Sequence, residues 1–274
     1  MTNRYLKYFT KILDQDSCIL KWSASGITKK NIGDALNPFL FEKITEKKVV
    51  NLQEVLNLGI KPVYSFIGSV LDNSSVRNLT VIGSGFKRED SRVFVKPKKV
   101  VACRGPLTRN KLLKAGVVDV PEIYGDPAIL LPMFFDPDVE KTYKFGIIPH
   151  YIDHNAEVIT LWKNKPDVKF IDVYSDLETF VNDLKSCEYT FSSSLHGVIL
   201  SHAYGIPSVW IKLSEKIAGG NFKFDDYFQS VDIKVKPIIP GTIGVYFEEI
   251  LNAATLPDFN SLQNRLFKEI KINV

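Results

Sequence analysis

Cysteine is scarce in this 274-residue chain: Cys18, Cys103 and Cys187 are the only three. They lie far apart, so they spell out neither a disulfide framework nor a metal-ligand spacing, and their odd number points to a reducing compartment. Each sits in an apolar setting, where a buried, unreactive thiol is expected. Long apolar runs are also missing. None approaches the ~20 residues that a membrane-spanning helix needs, and the opening M-T-N-R-Y-L-K-Y-F-T lacks the apolar centre of a secretory signal. A cytoplasmic protein is expected. Charge of one sign is in short supply too. Thirty-five Lys and Arg against 31 Asp and Glu leave +4, with no basic stripe or nucleic-acid-binding motif, so a nucleic-acid partner is excluded. The mild excess suits an anionic substrate, or peripheral contact with the anionic cytoplasmic face of a membrane. The densest basic stretch, 96–109, surrounds an apolar strand and reads as solvated lysines.

What the chain does have is ordinary globular composition, 45% hydrophobic and 24% charged, enough for two domains of about 130 residues, each with its own core. Short runs rich in Val and Ile alternate with amphipathic stretches. Strands are expected at 18–24, 63–70, 79–83, 100–103, 145–149, 169–173, 189–192 and 208–212. Helices are expected at 35–45, 106–115, 156–163, 177–185 (capped by Asp176) and 197–204. This alternation in both halves implies parallel sheets with crossover helices. The fold class is therefore α/β, with an N-terminal domain at 1–135, a linker within 134–144, a C-terminal domain at 143–245 and helices in 246–274. Two such domains enclose a cleft, and ligands of open α/β sheets bind beyond the carboxyl ends of the strands.

Four motifs fall at such strand ends. N-I-G-D-A-L-N opens a helix: Gly33 permits close backbone approach, Asp34 can cap, and Asn31 and Asn37 suit sugar hydroxyls. V-I-G-S-G-F makes a tight turn at Ser84 and Gly85 with free N–H groups, though it is not the dinucleotide fingerprint. A-C-R-G-P-L-T-R puts Arg104 beside a helix N-terminus, a setting for phosphate or carboxylate, whereas Arg109 lies inside the helix and reads as structural. T-F-S-S-S-L-H-G places Ser193, Ser194 and His196 between a strand and a helix start, where His196 is a tunable proton donor. His150, in I-I-P-H-Y, follows another strand and is a second contact; His202 reads as a packing residue. No metal-ligand cluster is spelled out.

In order and spacing, these motifs, together with Y-G-D-P-A-I-L-L-P and the stretch from S-S-S-L-H-G through H-A-Y-G-I-P, resemble the polysaccharide pyruvyl transferase family, over about residues 22–212. The resemblance implies a GT-B-like pair of Rossmann-like domains facing a cleft. It implies transfer of the pyruvyl group of phosphoenolpyruvate to two hydroxyls of one sugar, forming a cyclic ketal in exopolysaccharide or capsule synthesis, with no cofactor or metal. Arg104, Ser193, Ser194, Lys212 and His150 would then contact the donor, His196 would be the general acid, and Asn31, Gly33, Asp34, Asn37, Ser84 and Gly85 would face the acceptor, free or lipid-linked. Some relatives carry Arg directly before the Leu-His pair. This chain has Ser194 there, so Lys212 or the helix-start N–H groups must stand in, or the donor differs. A glycosyltransferase using a nucleotide sugar, and a non-catalytic saccharide-binding protein, are the alternatives compatible with the same residues.

Overall fold

A computed structural model describes residues 17–23, 31–56, 58–240 and 250–274. Two sheets organise them. The first joins β1 (Cys18–Lys21), β2 (Val49–Asn51), β3 (Val63–Ser65), β4 (Leu79–Ile82) and β5 (Lys99–Ala102) in the order β2-β1-β3-β4-β5. The second joins β6 (Tyr143–Ile148), β7 (Val168–Phe170), β8 (Cys187–Ser192) and β9 (Ser208–Trp210) in the order β7-β6-β8-β9. Every pairing within them is parallel. Both β3 and β4 are buried throughout, as expected of strands covered on two faces.

Seven α-helices are described: α1 (Ile32–Thr45), α2 (Pro106–Lys114), α3 (Glu157–Trp162), α4 (Leu177–Lys185), α5 (Leu195–Ala203), α6 (Phe222–Ser230) and α7 (Asn260–Asn273). The expected span of α4 matches, and the Asp176 carboxylate caps it by accepting from the Thr179 N–H at 2.9 Å. The cap of α1 differs from expectation. Asn31 is the N-cap, its side-chain oxygen accepting from the Gly33 N–H at 3.1 Å, and Asp34 lies in the first turn. This helix also tolerates an internal proline. Pro38 has no N–H to give the Asp34 carbonyl, and the Asn37 side-chain amide reaches that carbonyl at 3.4 Å instead.

In each sheet the second strand lies outside the first and the third lies on its other side, so the chain reverses direction between β1 and β3 and between β6 and β8. The gaps outside the carboxyl ends of those pairs are the ligand sites of open α/β sheets. One apolar core links the two sheets, with Leu36, Ile67 and Leu130 from the first half and Ile148, Leu195 and Val198 from the second. Helix α7 returns to the first half, where Leu266 and Ile270 are buried and the Gln263 amide donates to the Ile129 carbonyl at 2.7 Å. Of the helix expected at 246–254, residues 246–249 lie outside the described residues, and Leu251–Ala253 is a 3-10 turn. All three thiols are free, and burial pushes the Cys187 thiol up to about 11. Among the described residues no helix is long and apolar enough to cross a membrane.

Candidate active site

The carboxyl ends of β1, β3, β6 and β8 converge on a cavity of about 180 Å³. Asn31 and Asp34 enter it from the start of α1, Gly68 and Ser69 from the chain after β3, His150 and Tyr151 from the chain after β6, and Ser194 and His196 from the start of α5. Lys87 and Lys223 complete the wall. Residues from motifs more than 150 positions apart therefore face one small space.

His196 is wedged rather than swinging free. A Cβ at Gly33 would fall 2.0 Å from its Nδ1, and one at Gly68 would fall 3.5 Å from its Cε1. The role of Gly33 is thus to admit this ring. Alanine at 33 is expected to keep the fold, because alanine is the better helix former, and to push the ring out of register. Turnover of Gly33→Ala should fall by about 100-fold, the scale of an ångström-sized misplacement, and the thermal midpoint should drop by several degrees, the cost of about 1–3 kcal/mol of overpacking against the ring; steady-state assay and thermal denaturation check the two halves.

The charges around the cavity are mainly cationic. Lys223, in the first turn of α6, is 8% exposed, and its ammonium makes no hydrogen bond or ion pair among the described residues. Burial pulls its pKa down to about 7, Arg104 and Lys87 add to the fall, and Asp153 opposes it. His150 is held neutral. Burial first, then Lys223, His154, His196 and Lys87, lower it to about 3. Its Nδ1 accepts from the Ile152 N–H at 3.3 Å, which leaves Nε2–H as a donor. Asp34 moves the other way. Burial raises its carboxyl to about 6, against the pull of His196, the Ser23 N–H and Lys87. The N-cap of α5, Ser194, makes no side-chain capping bond, so the helix-start N–H groups are not spent on a cap.

Several expected contacts lie elsewhere. Arg104 is fully buried: it pairs with Asp226 (Nη2 to Oδ2 3.0 Å) and donates to the Ser69 hydroxyl at 2.6 Å and the Phe86 carbonyl at 2.6 Å. It braces the cavity wall from behind and does not reach the cavity. Lys212 pairs with Glu215 at 2.7 Å and lines a separate open groove with Arg88 and Asp225. Asn37 is fully buried, its carboxamide oxygen accepting from the Ile67 N–H at 3.0 Å, so it pins α1 to the chain after β3. Ser84 is buried and donates to the Ser65 hydroxyl at 2.9 Å, and Gly85 backs onto the Arg104 guanidinium. Ser193 is also buried. Its hydroxyl donates to Asp153 at 2.8 Å and accepts from the His150 N–H at 2.9 Å, which fixes the His150 loop. His202 packs as expected, stacked on Tyr227, and Arg109 is structural, donating to the Val120 carbonyl at 3.0 Å.

Lys87 and Lys223 were not singled out from sequence. Lys223 had a signal, since Phe224, Tyr227 and Phe228 fall at i, i+3 and i+4, the mark of a helix whose first turn would carry it. Lys87 follows V-I-G-S-G-F directly and so sits past a strand end.

Residues 74–215 match the family model of polysaccharide pyruvyl transferase. An uncharacterized protein of Acanthamoeba polyphaga mimivirus is 37% identical over 213 residues, covering 74% of this chain and 72% of its own length. The succinoglycan biosynthesis protein ExoV of Rhizobium meliloti (strain 1021) is 27% identical over 218 residues, covering 76% of this chain and 63% of its own length.

Proposed function

The chain belongs to the polysaccharide pyruvyl transferase family and is a transferase, and on that premise we propose that it moves the pyruvyl group of phosphoenolpyruvate onto a saccharide to form a cyclic ketal. The observation that carries this reading is the convergence of His196, Lys223, Lys87, the start of α5 and Asp34 on one cavity. Phosphoenolpyruvate carries a phosphate and a carboxylate. Two lysines, the N–H groups of a nine-residue helix and the Nε2–H of a neutral His150 suit both anions. The lysines take the part that the sequence had assigned to Arg104 and Lys212.

In this scheme protonation of the donor at C3 by His196 makes C2 electrophilic. A sugar hydroxyl adds to C2 and gives up its proton to Asp34, which is ionised above about pH 6. The C2–O bond to phosphate breaks, and a second hydroxyl of the same sugar closes the ketal, its proton leaving with the phosphate. No cofactor enters the scheme. The two sheets are read as the Rossmann-like halves of a GT-B-like fold, 1–135 and 143–245 with 246–274 following. The acceptor belongs to an exopolysaccharide or capsule precursor, free or lipid-linked, met at the cytoplasmic face of a membrane.

The test is incubation with phosphoenolpyruvate and a panel of free and lipid-linked saccharides, following phosphate release and ketal formation. The expected result is a pyruvyl ketal with phosphate released in equal amount. Turnover with a nucleotide sugar and none with phosphoenolpyruvate would overturn the reading.

Donor binding should also depend on pH through Lys223. Free, it is charged below about pH 7 and neutral above. A bound anion favours the charged form and raises its pKa. Binding at pH 8 should therefore take up about one proton at this lysine, and affinity should fall as pH rises above 7. Calorimetry in two buffers of different ionisation enthalpy measures the uptake. Lys223→Met should remove it and weaken donor binding.

A further inference from the structure

Asp126 stands behind His196 and has no part in the scheme above. It is fully buried in the Y-G-D-P-A stretch. Its two oxygens are held by backbone: Oδ1 accepts from the Ala128 N–H at 3.1 Å and Oδ2 from the Gly68 N–H at 3.2 Å. Oδ2 also lies 3.8 Å from His196 Nε2. That nitrogen is sealed from solvent and has no hydrogen-bond partner. A buried, unpaired ring N–H costs free energy, and a buried carboxylate without a cation costs more. The two groups face each other, and neither has another ionisable partner at that distance among the described residues. Nδ1 lies against Gly33 at the start of α1 and, unlike Nε2, is not among the sealed nitrogens without a partner.

We propose that Asp126 is a positioning residue for His196: it holds the proton on Nε2 and stabilises the ring when protonated, so that Nδ1 is the nitrogen that exchanges a proton with the reactants. At 3.8 Å the contact is an electrostatic one, longer than a hydrogen bond, and catalytic contacts of this kind tighten when substrate binds. The neighbours of His196 divide the work. Lys87, Lys223 and neutral His150 line the cavity, Asp34 lies on α1, and among the described residues Asp126 is the charged group paired with the ring on the Nε2 side. Fixed by two backbone N–H groups, its carboxylate presents a set orientation to the wedged ring.

The inference rests on His196 as the proton donor, but its first test needs neither donor nor acceptor. Nitrogen-15 NMR of ring-labelled free protein at a pH where His196 is neutral reads its tautomer. The Nε2–H form is expected, and a dominant Nδ1–H form would overturn the proposal whatever reaction the enzyme performs. The second test is Asp126→Asn. It keeps the size of the side chain and removes the charge. Turnover of phosphoenolpyruvate with the acceptor identified in the panel should fall by about 100-fold or more, with the donor KM within about threefold, as for loss of an orienting carboxylate. The tautomer population should become mixed. Turnover within threefold of wild type in a folded variant would overturn the proposal. If the variant fails to fold, the wild-type tautomer alone decides. If phosphoenolpyruvate is not turned over at all, the donor assignment fails while the tautomer result stands.

Discussion

His196→Gln is expected to lower turnover by about 100-fold or more while leaving donor affinity within a few-fold of wild type. Glutamine reaches about as far as imidazole and keeps a hydrogen-bonding end, so the site is not emptied. What it cannot do is give a proton to carbon. The anionic ends of the donor have other partners, in Lys87, Lys223 and the start of α5. The binding contribution of the ring is therefore small beside its contribution to the chemical step. Titration calorimetry gives the affinity, and single-turnover phosphate release gives the chemistry. Donor washed with solvent deuterium at C3 gives an independent reading, since exchange there requires protonation and its reversal. If binding were lost while bound donor still turned over normally, His196 would be a binding residue. The proton donor would then be Asp34, whose carboxyl titrates near 6, ahead of His150, which burial keeps neutral to about pH 3.

Strand ends were legible in the sequence because buried parallel strands are short apolar runs closed by small or polar residues. F-G-I-I-P-H and T-F-S-S-S-L-H both show this, and it is enough to place His150 and His196 past the carboxyl ends of β6 and β8. At the start of α1, the N-cap Asn31 and the first-turn Asp34 do face the cavity. Arg104, expected at the donor, is instead seen buried in a pair, for a non-local reason. Its partner, Asp226, lies 122 residues away, on a helix that the sequence reading did not include, and nothing near position 104 announces a buried pair. Asn37 misled in the same way: its side chain answers to Ile67, on another strand's exit, and to the carbonyl freed by Pro38. Short elements were also lost. The three residues of β2 carry too little pattern to separate from a loop.

The Arg104–Asp226 pair yields the largest expected effect on stability. Asp226 is wholly buried and accepts from Arg104 Nε at 3.0 Å, from the Thr108 N–H at 2.9 Å and from the Thr108 hydroxyl at 2.7 Å. The backbone there is equally close, for a Cβ on Gly105 would fall 1.8 Å from the Asp226 carbonyl oxygen. Asp226→Ala leaves a guanidinium at zero exposure with no counter-charge and strands the two Thr108 donors. The expected loss is about 3–5 kcal/mol, the cost of breaking a buried pair from one side, read as a lower midpoint in denaturant with unchanged slope. The double substitution Arg104→Met with Asp226→Leu removes both charges, and most of that loss should be recovered, since a buried pair and an apolar pair of similar size are often equal in stability. The same double variant separates bracing from ligand binding. If Arg104 held the donor directly, phosphoenolpyruvate affinity would collapse in a protein of nearly normal stability. With Arg104 acting only through Ser69 and the seat of α6, affinity should instead fall by less than about tenfold, the equivalent of one ordinary hydrogen bond at the wall.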